Sequence, residues 1–128
     1  MPNVLMATRR GWIEDKGTVL NALHRAQTEA LRTPEWDRTF RLIEHGDDEF
    51  AVPPGRGPRY SLIEFTLFAG RTPDAKRNLY RAIVRNLGEL GVPAEDIKIV
   101  LLEAPLENWG IRGGQAASDV DLGFDVMV

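Results

Sequence analysis

Few side chains in this sequence are equipped for chemistry. The chain has no cysteine, which excludes a thiol nucleophile, a disulfide framework and cysteine-based metal sites. His24 and His45 are the two histidines. His24 falls among helix-spaced residues and is read as structural. His45, beside Glu44, has no second histidine near it, so no metal site is expected. The unusual residue is the second. If Met1 is removed, Pro2 becomes a free secondary amine. An α-amino group titrates at about 7.7–8.0, and an apolar site or nearby arginine lowers that value. A neutral amine near pH 7 is a competent general base. With Met1 attached, the same nitrogen is a tertiary amide without basicity. Arg71, after a strand, and Asp37 with Arg38, before another, are the polar groups whose positions fit a pocket at strand ends.

The elements that would position these groups emerge from an internal repeat. An offset of 59 residues superimposes Gly11 on Gly70, Leu20 on Leu79, Leu31 on Leu90, Pro34 on Pro93, Asp37 on Asp96, Leu42 on Leu101 and Glu44 on Glu103. Pro2 then matches Ser61. Each half reads as strand, helix, strand. In the first, the strand Val4 to Thr8 precedes a helical stripe of Val19, Leu20, Leu23, Ala26, Gln27, Ala30 and Leu31. Pro34 stops the helix and Thr39 to Glu44 is the second strand, with Asp37 and Arg38 at its start. In the second half, Leu62 to Phe68 is a strand. Thr72 and Pro73 cap and start a helix, and Leu79, Ala82, Ile83, Leu87 and Leu90 form its buried stripe. Gly91 suits the residue that ends it, and Ile97 to Leu102 is the last strand.

One domain over residues 1–128 is expected: repeat one at about 2–45, a Pro/Gly-rich linker loop at 46–60, repeat two at about 61–103, and a tail at 104–128. The tail carries Trp109 and a final apolar stretch from Leu122 to Val128, and suits an added strand or a reach to a neighbouring subunit. The fold class is α+β, with tandem β-α-β units forming a mainly parallel-paired four-stranded sheet and both helices on one face. The bare face then needs a cover, so association through the sheet is expected.

Composition narrows the setting. The chain has 128 residues, 43% hydrophobic and 27% charged, with a net charge of −3. These are globular values. Mild acidity argues against a nucleic-acid partner, and no apolar run reaches the length of a membrane span. The start of the chain does not read as a signal peptide, so a cytoplasmic location is expected.

The sequence resembles the tautomerase superfamily, in particular the branch of malonate semialdehyde decarboxylase and 4-oxalocrotonate tautomerase-like proteins. The resemblance spans nearly the whole chain. It is carried by Met1-Pro2, His24-Arg25-Ala26, Pro34-Glu35-Trp36-Asp37-Arg38, Glu44-His45, Gly70-Arg71-Thr72, Leu79-Tyr80, Pro93-Ala94-Glu95-Asp96 and Glu107-Asn108-Trp109. It implies a homotrimer without cofactor or metal, acting on a small carboxylate or oxo acid. Pro2 is then the base or acid, Asp37 its polar partner and Arg71 the carboxylate anchor, which suits arginine's two-pronged geometry. Arg38, Asn108 and Trp109 are candidate substrate contacts. Bland roles stand beside these: Asp37 as a turn residue, Arg71 as a solvated charge, Trp109 as packing.

The sequence departs from the decarboxylase pattern, in which two arginines are separated by one residue. Here Ala69 takes the other place, and Trp12 follows Gly11 where many relatives have arginine. Arg9, Arg10, Arg38, Arg56 and Arg59 are possible substitutes. Three functions follow in order: a tautomerase of a 2-oxo acid or its enol, a decarboxylase or hydratase of a three-carbon oxo acid, and a non-catalytic carboxylate-binding module. A ferredoxin-like RNA-binding version of the last predicts Phe65 and Phe68 exposed on the sheet.

Overall fold

The computed structural model describes residues 2–126. The order is β1 (Asn3–Arg9), α1 (Lys16–Leu31), β2 (Phe40–His45), β3 (Ser61–Phe68), α2 (Pro73–Gly88) and β4 (Ile97–Ala104), followed by a small hairpin of β5 (Gly110–Ile111) and β6 (Gln115–Ala116). The main sheet runs β2-β1-β3-β4, with β1 parallel to β2, β3 parallel to β4, and an antiparallel seam between β1 and β3. The two β-α-β units are therefore side by side and unsplit, unlike a ferredoxin-like sheet.

The repeat is visible as an approximate twofold. Leu5 pairs with Glu64 at the seam, and the 59-residue offset carries Leu5 onto that same partner. The turns before the outer strands match as well: Asp37 N–H donates to Pro34 O, and Asp96 N–H donates to Pro93 O, both at 3.0 Å.

Local chemistry sets the helices. Asp15 caps α1, accepting from Gly17 N–H at 3.0 Å and Thr18 Oγ1 at 3.1 Å. Arg32, in the left-handed region at φ 55°, closes the helix by donating its N–H to Thr28 O. Thr72 caps α2 through Ala75 N–H at 3.1 Å, with Pro73 as its first residue. The core lies between helices and sheet. Val4, Met6, Ile63 and Phe65 point at Leu23, Leu31, Leu79, Ile83 and Leu87, all buried. Each such side chain contributes about 1.5–3 kcal/mol by leaving water. The opposite sheet face carries Leu5, Ala7, Ile43, Leu62, Val100 and Leu102 together with Arg41, Glu64 and Lys98, and Ile43 is 41% and Leu102 49% exposed.

Several sequence expectations need correction. Asp37 and Arg38 precede β2 in a turn rather than starting the strand. α2 ends at Gly88, so Leu90 lies beyond it, and Gly91 sits in the following turn at φ 90°. A Cβ on Gly91 would meet Arg59 Nη1, so the turn needs glycine for space as well as for its backbone. Among the described residues, the tail adds no strand to the main sheet. It folds back as the separate hairpin, and Ala117, Leu122 and Trp109 pack on Phe68 in a second small core. Met127 and Val128, the end of the expected apolar stretch, lie outside the described residues, as does Met1. Phe65 and Phe68 are buried, contrary to the RNA-binding alternative. Among the described residues, no helix is long and apolar enough to cross a membrane.

Candidate functional site

Pro2 is buried at the start of β1. Extending the strand registers sets it level with Arg38 on one side and Leu67 on the other. It is thus flanked by the turn that carries Asp37 and by the end of the strand that leads to Arg71. Val4 N–H donates to Thr39 O at 2.9 Å, which ties the start of β1 to that turn.

Asp37 is 4% exposed. Its backbone carbonyl accepts from Gln27 Nε2 at 2.9 Å, and the same amide nitrogen donates to Thr33 Oγ1 at 3.0 Å. Gln27 thereby anchors the turn to α1. Burial pushes the Asp37 carboxyl above its ordinary value by penalising the anion, against the pull of the Arg71 cation. Arg71 is 5% exposed. Its Nη1 donates to the carbonyl of Leu31, the last residue of α1, at 2.5 Å, and to Asp125 O at 3.4 Å. Burial lowers its affinity for the proton, with Asp125 and Asp37 acting in the opposite sense. Arg71 and Asp37 thus share one electrostatic site, although 34 positions of sequence separate them.

The other predicted contacts divide. Arg38 lies level with Pro2, but its guanidinium turns to α1. There, Nη1 donates to His24 Nδ1 at 2.7 Å and Nη2 to Asn21 Oδ1 at 2.5 Å. With Nδ1 as acceptor, the His24 proton is assigned to Nε2, which is buried and makes no hydrogen bond among the described residues. Trp109 packs edge-on against Phe68, with centroids 4.8 Å apart, and donates Nε1–H to Ala104 O at 3.1 Å. It belongs to the small core beside the end of β3. Asn108 is exposed, in a turn closed by its backbone N–H to Pro105 O. Arg9, Arg10 and Arg59 flank the other end of the β1–β3 seam, away from Pro2. Arg9 holds the linker there, donating from Nε and Nη2 to Phe50 O.

Sequence reasoning missed Gln27, Thr33 and Asp125. Gln27 did carry a signal, as a polar residue in an otherwise apolar helical stripe. The other two are visible only through three-dimensional contact. Among the described residues, no group of three or more His, Asp or Glu is placed to hold a metal ion.

The arrangement is a buried proline at a sheet end, flanked by the turn that carries a buried carboxyl and by the end of the strand that leads to a buried guanidinium. A family model described as "Tautomerase enzyme" matches residues 37–112. The probable tautomerase YusQ of Bacillus subtilis (strain 168) is 31% identical over 126 residues, covering 91% of this chain and 97% of the relative. Among solved structures, malonate semialdehyde decarboxylase superposes with a TM-score of 0.83 at 20% identity, covering 93% of this chain and 99% of that one. A fused 4-OT described as a symmetric trimer gives 0.77 at 25% identity, covering 90% and 95%. The chain belongs to the tautomerase superfamily.

Proposed function

We propose that the protein is a tautomerase that uses Pro2 as general base on a 2-oxo acid or its enol. The observation that carries this reading is the burial of Pro2 at the sheet end flanked by the segments bearing Asp37 and Arg71. The reading requires loss of Met1, since only a free Pro2 has a secondary amine. The amine takes the enol proton and returns it to carbon, which completes an isomerisation without cofactor. Arg71 receives the substrate carboxylate, and Asp37 steers the polar end of the substrate or the prolyl cation. The working form is a homotrimer assembled through the open sheet face. Membership of the superfamily and the trimeric fused 4-OT neighbour support that assembly.

The decisive experiment is turnover of phenylenolpyruvate by protein whose intact mass lacks one methionine, beside Pro2→Ala. Loss of turnover by orders of magnitude in the variant supports the reading, and unchanged turnover overturns it. Product from malonate semialdehyde instead would assign the decarboxylase chemistry, which Ala69 in place of a second arginine disfavours.

A further inference from the structure

The approximate twofold gives the domain a second sheet end built like the first. There the 59-residue offset sets Ser61 where Pro2 stands, Asp96 where Asp37 stands, Leu90 where Leu31 stands and Trp12 where Arg71 stands. The two ends are roughly 20 Å apart along β1 at the usual rise of a strand. Asp96 is buried like Asp37, and its Oδ2 accepts from Gly57 N–H at 3.1 Å. The guanidinium lost at position 12 is restored from another part of the chain. Arg59 Nη1 donates to Leu90 O at 3.2 Å and Gly91 O at 3.1 Å, as Arg71 Nη1 donates to Leu31 O. Trp12 lies under the Arg59 guanidinium, 5.6 Å from its ring centroid, and is fixed by Nε1–H to Thr8 Oγ1 at 3.1 Å.

Beside this end, on the Trp12 side of Arg59, opens a cleft of about 330 Å³, a size that suits a small ligand. Arg59 offers a cation on one wall, and Glu14 and Asp15 are exposed carboxylates on another. Trp12, Val19 and Leu90 supply apolar surface between them. A simple anion would meet Arg59 but be repelled by two acids. A simple cation would meet the acids but be repelled by Arg59. A molecule carrying both charges next to an apolar body satisfies all three walls. We propose that the Trp12–Arg59 cleft is a second, non-catalytic binding site for a zwitterion with an apolar side chain, of the chemical class of an apolar α-amino acid. Its carboxylate meets Arg59 and its ammonium meets Glu14 and Asp15. Ser61 is an internal residue whose nitrogen is an amide, so this end has no basic amine and binds without turnover.

The test is NMR titration of the full chain, following the Trp12 indole N–H, with L-leucine, isovalerate and isoamylamine as probes. L-leucine should give a saturable shift at an affinity about tenfold or more above either singly charged analogue. Arg59→Gln and Glu14→Gln should each weaken it by about tenfold, while Pro2→Ala leaves it unchanged. Should Arg59→Gln fail to fold, Glu14→Gln, an exposed position, carries the same comparison. Absence of a saturable shift, binding of isovalerate as tight as that of L-leucine, or unchanged affinity in the folded variants overturns the proposal.

Discussion

Gln27 Nε2 donates to the backbone carbonyl of Asp37 at 2.9 Å, so a buried amide in the middle of α1 holds the turn that presents the Asp37 carboxyl. The same nitrogen also holds Thr33 Oγ1. Replacing Gln27 by Met keeps the bulk and removes the donor. Two buried acceptors then lose their partner, at about 1–3 kcal/mol in total stability. Thermal and denaturant unfolding of Gln27→Met should show that loss. A fall in kcat/KM larger than the loss of folded protein explains would show that the anchored turn also positions Asp37. A variant as stable as the parent would exclude the anchoring role.

Asp37 supplies a pH signature. Burial raises its carboxyl above the ordinary value, so the folded state prefers the protonated form. Its contribution to stability is whole below the ordinary aspartate value. It is lost as pH rises through the raised value of the folded protein. Asparagine imitates the protonated group and cannot ionise. Asp37→Asn should therefore gain in Tm relative to the parent at about pH 7, and the gain should shrink towards about pH 3. The same variant should lose turnover at neutral pH if Asp37 serves Pro2. A Tm difference independent of pH would contradict the burial effect.

In the proposed reaction, Arg71 would join stability to substrate binding. Its Nη1 closes the C-terminal end of α1 through Leu31 O, and the buried side chain lies within the electrostatic reach of Asp37 and Asp125. Lysine retains the charge but not the planar fork. Arg71→Lys should lower Tm and raise KM for a carboxylate substrate by about tenfold or more, with a smaller change in kcat. Asp125→Asn removes a negative charge that competes for Arg71, and should lower KM for the same substrate. Steady-state kinetics of the two variants, moving KM in opposite directions, check the assignment.

The sequence made the fold legible because each level of pattern agreed. Apolar alternation marked the strands, Thr72-Pro73 marked a helix start, and the 59-residue offset marked the duplication. Pro2, Asp37 and Arg71 were legible as candidates because each stands beside such a boundary. The electrostatic pairing of Asp37 with Arg71 was not, since it depends on the antiparallel β1–β3 seam, which no local pattern encodes. Arg38 shows the limit most clearly. Adjacent to Asp37 in sequence, it turns to Asn21 and His24 on α1. Arg59 shows the reverse, reaching from the linker to the carbonyls of Leu90 and Gly91, 31 and 32 residues away.

The proposed trimer would assemble through the sheet face that the helices leave open. Ile43 on β2 and Leu102 on β4 are 41% and 49% exposed, with Leu5, Ala7, Leu62 and Val100 between or beside them. Arg41, Glu64 and Lys98 stand among them, and an uncovered sheet face that mixes exposed aliphatic and charged groups suits association with another copy. Isolated, it favours misassociation; in a closed ring of three copies, it is buried against itself. Like charges added at both edges would repel one another and have to be desolvated in that interior, at a cost of several kcal/mol for each uncompensated charge. Sedimentation velocity should therefore find a trimer for the parent and a monomer for Ile43→Lys combined with Leu102→Lys. Circular dichroism should show that the monomer keeps its helices, because neither residue touches the core between helices and sheet. A parent that sediments as a monomer, or a double variant that still forms trimers, would remove the open face as the assembly surface.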